Sequence, residues 1–237
     1  MSLDGKVALI TGGTGALGRA VTAAFLEAGA AVAVSFVVDR EVPECKGCLG
    51  AKADAPLFLK ANVTVEAEVQ ILVQTVTQRF GRIDILLSLV GGYVGDLPVV
   101  QLPEATWDHM MNLNLKTTFL CCKHVVPVMR RGGGGRIVTV SSRAALKVFP
   151  GISAYAVSKA GILTFTETLA SEVMKDNITV NAILPSVIDT PANRKAMPGA
   201  DYSLWVKPEE IARVVLFLCS DASREISAAA IPIYGRA

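Results

Sequence analysis

The chain has 237 residues, of which 51% are hydrophobic and 19% charged, and its formal net charge is +2. This composition excludes a disordered chain and supplies enough apolar side chains for a large buried core. The balanced charge leaves no basic stripe of the kind that binds nucleic acid, and the longest uncharged apolar runs span about half a bilayer. The N-terminal residues lead straight into the first predicted strand, so we expect no signal peptide, no membrane association and a cytoplasmic location.

Strand-like and helix-like segments alternate along the whole sequence. In chain order they are strand 6–11, helix 15–28, strand 31–37, an irregular connection 39–56, strand 57–61, helix 65–80, strand 83–90, helix 103–130, a glycine turn 132–135, strand 136–141, helix 153–175, strand 178–184, a loop 192–205, helix 208–220 and strand 229–233. This alternation predicts an α/β fold with a doubly wound, mostly parallel sheet of about seven strands and helices on both faces. We expect one domain over residues 1–237, with ligands bound at the carboxyl ends of the strands.

The turn between the first strand and the first helix is rich in glycine. It reads Thr11-Gly12-Gly13-Thr14-Gly15-Ala16-Leu17-Gly18. Glycines let the backbone approach a pyrophosphate closely, and the N-terminus of the following helix supplies amide donors and a partial positive charge. The turn therefore predicts a dinucleotide-binding site.

The end of the second strand carries information about the form of the dinucleotide. An acid at this position holds the 2′-hydroxyl of NAD, whereas a basic residue accepts the 2′-phosphate of NADP. Phe36 takes the acidic position, and Arg40 follows closely enough to reach a 2′-phosphate. Both forms stay open, and the residues favour NADP weakly.

The five cysteines include one C-x-x-C pair, Cys45 and Cys48, in the connection 39–56. Pro43 and Gly47 predict that this connection is a solvent-exposed loop rather than a helix, so we expect no role for the pair. No group of His, Cys and carboxylate residues has metal-ligand spacing, and we expect no metal.

Two residues near the start of the helix 153–175, together with a serine at the preceding strand, have the spacing of an acid–base site. Tyr155 and Lys159 lie one helical turn apart on one face, so the lysine is expected to lower the pKa of the phenol and make it a usable proton donor and acceptor. Ser142 ends the preceding strand, where its hydroxyl can hydrogen-bond a substrate carbonyl.

With these residues in place, the sequence resembles the single-domain branch of the short-chain dehydrogenases/reductases along essentially its whole length. Thr11 to Gly18 is similar to the coenzyme turn of that family, and Asn62-Val63 to its Asp-Val pair. Asn112-Leu113-Asn114-Leu115 is similar to the helix segment with the catalytic Asn, and the segment from Asn181 to Thr190 to the one that holds the nicotinamide.

The resemblance implies a Rossmann-type fold and an NAD(P)(H)-dependent oxidoreductase. Such an enzyme interconverts a small ketone or aldehyde, with a 3-ketoacyl thioester as one candidate, and its alcohol. It implies that Ser142 polarises the carbonyl, Tyr155 transfers the proton, Lys159 lowers the pKa of Tyr155, and Asn114 holds a water that connects Lys159 to solvent. The implied coenzyme contacts are Gly12, Thr14, Gly15, Leu17, Gly18, Phe36, Asn62, Val63, Ser88, Val90, Gly91, Tyr155, Lys159, Pro185, Ser186, Ile188 and Thr190. It also implies a homotetramer or homodimer.

Two segments depart from the family pattern. Ser88-Leu89-Val90-Gly91 replaces the usual Asn-Asn-Ala-Gly, and the larger Val90 is expected to crowd the adenosine ribose. Ser186 follows Pro185 where glycine is common. These departures keep a second hypothesis open, namely a dinucleotide-binding sensor or partner protein with little or no turnover.

Overall fold

The computed structural model describes residues 1–236. Seven strands form one sheet: β1 (Val7–Thr11), β2 (Ala31–Phe36), β3 (Leu57–Lys60), β4 (Ile85–Ser88), β5 (Gly135–Val140), β6 (Ile178–Pro185) and β7 (Ala230–Ile233). All neighbouring strands are parallel, and their spatial order is β3-β2-β1-β4-β5-β6-β7. The predicted doubly wound parallel sheet is therefore confirmed.

Eight α-helices connect the strands of the described residues. They are α1 (Ala16–Glu27), α2 (Glu41–Leu49), α3 (Glu66–Phe80), α4 (Glu104–Met110), α5 (Thr117–Arg131), α6 (Ser153–Val173), α7 (Pro191–Ala196) and α8 (Pro208–Cys219). Within residues 1–236, no helix combines the length and the apolar character that crossing a membrane requires.

The sheet is buried on both faces because successive side chains of a strand point to opposite sides. In β1, Val7 and Leu9 join the apolar core that contains residues of α3, α5 and α6. Ala8 and Ile10 join the opposite core, which contains residues of α1 and α8. Each fully buried leucine or isoleucine side chain stabilises the fold by about 1.5–3 kcal/mol relative to an exposed one.

The order of the strands reverses between β1 and β4, and this reversal places the ligand crevice. Thr11 ends β1 directly beside Ser88, which ends β4. The Leu89 N–H donates to the Thr11 hydroxyl over 3.3 Å, which ties the two connections together where they diverge. In open parallel sheets such a reversal opens a crevice at the carboxyl ends of the strands.

The prediction of an exposed loop at 39–56 is wrong. The chain forms α2 there, followed by a short 3₁₀ turn at Gly50–Lys52. Pro43 lies in the first turn of α2, where its missing N–H costs no helical hydrogen bond. Cys45 is fully buried, with its sulfur 3.9 Å from the carbonyl oxygen of Gly13, so tertiary packing outweighs the weak local preference. Cys48 is exposed as expected.

The predicted single helix over 103–130 is divided. A π-helical segment at Met111–Lys116 separates α4 from α5. The Thr117 hydroxyl donates to the Leu113 carbonyl at 2.8 Å, and the Thr118 hydroxyl donates to the Asn114 carbonyl at 3.2 Å. These two hydroxyls supply hydrogen-bond donors to carbonyls of the wider π turn, and such π-bulges are frequent at functional sites.

The segment 192–205, predicted as a loop, contains two short helical stretches. α7 fills its first part, and Tyr202–Leu204 forms a 3₁₀ turn. The rings of Tyr202 and Trp205 lie 4.7 Å apart, and Trp205 is only 9% exposed. Trp205 therefore packs this segment against the rest of the fold.

Candidate active site

The glycine-rich turn joins β1 to α1 near the centre of the carboxyl edge of the sheet. Gly12 has φ +67°, in the left-handed region, and a side chain at Gly18 would collide with the backbone of Gly12 and Gly13. Gly15 precedes α1 and has no side chain to cap it, so the first N–H groups of the helix form no hydrogen bond with a capping side chain. The turn has the geometry of an anion-binding helix N-terminus.

α2 is attached to this turn by two acidic side chains. The Thr14 hydroxyl donates to Glu41 at 2.7 Å, and Arg19 of α1 forms an ion pair with Glu44 at 2.5 Å. Glu41 is a site residue that the sequence does not mark, because a segment interpreted as a loop gives no reason to place it beside Thr14.

The end of β2 is apolar where it meets the crevice. Phe36 is partly buried, and Val37, the next residue, is 54% exposed. Arg40 precedes α2 and is exposed, and its side chain makes no hydrogen bond or ion pair with any residue in 1–236. Glu41 and Arg40 therefore bring charges of opposite sign to the side of the crevice where the second strand ends.

The connection after β3 forms a compact turn. The Asn62 side-chain oxygen accepts hydrogen bonds from the N–H and the hydroxyl of Thr64, at 3.1 and 2.8 Å. Val63 is 2% exposed. Both predicted residues thus lie at the carboxyl edge, but the Asn62 oxygen is already engaged with Thr64.

The connection after β4 lies against the glycine turn. The Ser88 hydroxyl is 3.2 Å from that of Thr118. A Cβ atom at Gly12 would lie 3.0 Å from Val90 Cγ2, so Val90 covers the turn at close range. A Cβ at Gly91 would lie 2.8 Å from Asn114 Oδ1 and 3.0 Å from Lys159 Nζ. Because Gly91 has no side chain, Asn114 Oδ1 and Lys159 Nζ can both lie against its backbone.

Asn114 lies in the π-helical segment and is fully buried. Its side-chain oxygen accepts the Gly92 N–H at 2.8 Å, and its amide donates to the Gly92 carbonyl at 3.1 Å and to the Ser158 hydroxyl at 3.0 Å. Both amide protons are used, so only the oxygen retains a free acceptor position.

Ser142 and Tyr155 face each other at the carboxyl end of β5. Ser142 is 8% exposed, and its oxygen accepts the Ala144 N–H at 3.1 Å. Burial raises the pKa of Tyr155, a hydrogen bond with Ser142 partly offsets this rise, and the nearby Tyr93 adds to it. Tyr155 is therefore a neutral phenol at pH 7.

Lys159 lies one turn further along α6, and its ammonium donates to the Val140 carbonyl at 2.9 Å. The nitrogen is 5.9 Å from the centre of the Tyr155 ring. Burial lowers the pKa of Lys159 to about 8. In this arrangement burial dominates and raises the pKa of Tyr155, and the Lys159 ammonium is directed to Val140, so the lowering of that pKa by Lys159 stays a prediction.

The segment after β6 completes the edge. Pro185 ends the strand, and Ser186 donates its hydroxyl to the Tyr234 carbonyl at 2.8 Å. Ile188 pairs with Val206 in a short parallel bridge. Thr190 caps α7, its oxygen accepting the Asn193 N–H at 3.2 Å. The Ser186 side chain is thus directed to the C-terminal strand.

One aromatic residue of the site was missed. The rings of Tyr93 and Tyr155 lie 5.0 Å apart in an edge-to-face arrangement. No local signal marked Tyr93, because its position beside Tyr155 arises from two connections that meet only in the folded chain. Among residues 1–236, no group of three or more His, Cys, Asp or Glu side chains is placed to hold a metal ion.

An anion-binding turn, with a serine beyond the end of β5 and a tyrosine and a lysine at the start of α6, is the arrangement of a dinucleotide-dependent oxidoreductase. A family model described as enoyl-(acyl carrier protein) reductase matches residues 13–235. The 3-oxoacyl-[acyl-carrier-protein] reductase FabG of Thermotoga maritima is 38% identical, over 99% of this chain and 98% of that protein. Dehydrogenase/reductase SDR family member 4 of Bos taurus is 34% identical, over 98% of this chain and 87% of that protein.

Solved structures agree with these relatives. Levodione reductase superposes with a TM-score of 0.90 at 30% identity, covering 98% of this chain and 97% of the other. NAD⁺-bound xylitol dehydrogenase superposes with a TM-score of 0.91 at 28% identity, covering 99% and 100%. The chain belongs to the short-chain dehydrogenase/reductase family. It is an NAD(P)-dependent oxidoreductase that acts on the carbonyl or alcohol group of small molecules, and the alternative of a sensor without turnover is not favoured.

Proposed function

We propose that Asn114, Ser142, Tyr155 and Lys159 are the catalytic residues, with Tyr155 as the proton donor in carbonyl reduction and the acceptor in alcohol oxidation. The observation that carries this proposal is that the Ser142 and Tyr155 side chains lie together at the carboxyl end of β5, close enough for Ser142 to offset part of the rise that burial causes in the pKa of Tyr155. Two hydroxyl groups therefore lie where one carbonyl oxygen can accept from both of them.

The residues at the coenzyme site fit a dinucleotide. Gly12 and Gly18 form a cradle that any side chain would fill, and the start of α1 has no side-chain cap. The α1 N–H groups are therefore suited to hold the pyrophosphate. When bound, the nicotinamide supplies the hydride for reduction or accepts it in oxidation. We propose that the coenzyme also contacts five residues that follow or end other strands of the sheet: Ser88, Pro185, Ser186, Ile188 and Thr190.

The protonation states of the chain's own groups suit reduction at neutral pH. The raised pKa keeps Tyr155 protonated, so its hydroxyl can polarise the carbonyl and then release the proton. Lys159, with a pKa of about 8, still carries a proton at pH 7 that can replace the one lost by Tyr155. The free acceptor position on Asn114 is available to a water that links Lys159 to solvent.

For the coenzyme we propose a preference for NADP(H). Arg40 supports it, because its exposed guanidinium has no partner within residues 1–236 and lies just beyond β2. Glu41 opposes it, since its carboxylate lies at the turn and would repel a 2′-phosphate. The preference is therefore expected to be modest, with NAD(H) also bound.

We further propose one cytoplasmic domain over residues 1–237 that assembles as a homotetramer or homodimer and binds no nucleic acid. Apolar residues on the two long helices support the assembly: Phe119 of α5 is 43% exposed and Val157 of α6 is 47% exposed. A 3-ketoacyl thioester is the substrate that the relative FabG supports, through its name and the 38% identity.

The experiment titrates the protein with NADPH and NADH separately and then measures carbonyl reduction. We expect micromolar binding of at least one coenzyme, about 8 kcal/mol. Tyr155→Phe should bind the coenzyme as tightly as wild type while turnover falls by at least ~100-fold. Tyr202→Phe is the control, because that hydroxyl contacts only carbonyls of its own segment. Unchanged turnover in Tyr155→Phe would refute the assignment.

A further inference from the structure

Tyr93 borders the catalytic residues without being one of them. Its ring lies edge-to-face against Tyr155 at 5.0 Å, and yet 58% of the residue is exposed. The Tyr93 hydroxyl makes no hydrogen bond with any residue in 1–236. A large aromatic side chain that is held against the Tyr155 ring and left open to solvent has a face available to a ligand.

The backbone holds Tyr93 in this position. Gly92 is fixed to Asn114 by two hydrogen bonds, and a side chain at Gly92 would press on Leu113. A side chain at Gly95 would collide with the Tyr93 ring, so glycine at 95 lets the ring fold back over its own loop. The loop's far end is held by the Leu97 N–H, which donates to the Gly151 carbonyl at 3.1 Å.

The segment that Gly151 belongs to is itself apolar and exposed. It connects Ser142 to Tyr155, and three of its side chains are at least half exposed: Leu146 (63%), Val148 (69%) and Phe149 (50%). The two loops next to the catalytic hydroxyls are therefore joined to each other and present apolar side chains to solvent. Such surroundings favour an apolar group on the substrate over a sugar or a phosphate.

We propose that Tyr93 is the specificity-determining wall of the substrate site, and that the preferred substrates carry an aryl group on the reacting carbonyl. The aryl ring packs on the exposed face of Tyr93 while the carbonyl oxygen accepts hydrogen bonds from Ser142 and Tyr155. This inference rests on the proposed function, because it uses the same two hydroxyls to position the carbonyl.

The test compares two keto esters that differ only in the group on the ketone, ethyl benzoylacetate (phenyl) and ethyl acetoacetate (methyl). Wild type is expected to reduce the phenyl ester with a kcat/KM roughly 10-fold higher, as aromatic packing of this kind supports. Tyr93→Ala should lower the ratio of kcat/KM for the phenyl ester to kcat/KM for the methyl ester about 10-fold, mainly through KM of the phenyl ester. Tyr93→Phe keeps the ring and should keep the wild-type ratio.

The other outcomes overturn the proposal. An equal loss on both esters in Tyr93→Ala would show that Tyr93 only positions Tyr155. Equal use of both esters by wild type, or no reduction of the phenyl ester, would show that the site does not select aryl ketones. Two measurements test the proposed function independently of the aryl preference: coenzyme titration and the loss of turnover in Tyr155→Phe. If both give the expected result while the ester comparison fails, only the aryl preference is refuted.

Discussion

At the level of single residues, Val90 is a side chain that lies close against the coenzyme turn. Its Cγ2 would lie 3.0 Å from a Cβ at Gly12, within the crevice between β1 and β4. Val90→Ala is expected to bind coenzyme more tightly, by roughly threefold to tenfold, because about 1 kcal/mol of crowding is removed. Calorimetric titration of both proteins measures this, and Leu89→Ala serves as the control. An equal or weaker affinity would show that Val90 leaves the ribose enough room.

Lys159 is a buried cation, and its pKa of about 8 links activity to stability. Between pH 8 and the unfolded pKa near 10.4, the unfolded chain holds the extra proton, so stability rises with pH by up to about 1.4 kcal/mol per unit. Below pH 8 both states are protonated, and the folded protein carries the full desolvation cost. Lys159→Met should therefore be inactive yet more stable than wild type at pH 7, with the difference closing toward pH 10.

Urea denaturation of both proteins at several pH values checks this expectation, because contributions of all other groups cancel in the difference. The gain is limited by the Val140 carbonyl, which loses its hydrogen bond in the variant. A variant less stable than wild type at pH 7 would show that this hydrogen bond outweighs the cost of burying the charge.

At the scale of elements, α2 determines the charge near the coenzyme turn. Glu41 bonds to Thr14 of the turn, whereas Glu44, one turn later on the same helix, bonds to Arg19. Glu41→Gln is expected to shift the ratio of NADH to NADPH dissociation constants about fivefold toward NADPH, because one negative charge near the 2′ position is removed. Glu44→Gln removes the same charge from the Arg19 pair and should change the ratio less than twofold. Equal shifts in the two variants would indicate a general charge effect.

At the scale of the whole molecule, the exposed apolar residues of α5 and α6 favour assembly. Phe119 packs edge-to-face on Phe165 at 6.2 Å and remains 43% exposed. Phe119→Glu is expected to reduce the molar mass measured by light scattering at micromolar concentration, because a buried unpaired charge weakens an interface. Ile71→Glu, at a residue of α3 that is 64% exposed, should leave the mass unchanged. Identical masses for wild type and Phe119→Glu would exclude this face from the interface.

Local sequence patterns were sufficient to predict the sheet, the glycine turn and the spacing of Tyr155 and Lys159. These features depend on local patterns: a period of two or 3.6 in the apolar residues, glycines directly between a strand and a helix, and two side chains one helical turn apart. Ser142 was found because it ends the strand that precedes this helix. Neighbours in sequence fix such relations before any long-range contact forms.

The tertiary structure alone decided the rest. α2 forms despite Pro43 and Gly47 because its side chains contact the turn after β1, and no local pattern records that contact. Tyr93 meets Tyr155 because two connections converge at the carboxyl edge. The pKa of Tyr155 rises rather than falls, since burial in the folded chain outweighs the nearby charge that the spacing in sequence revealed. Burial and long-range proximity are properties of the fold, and local sequence carries no measure of either.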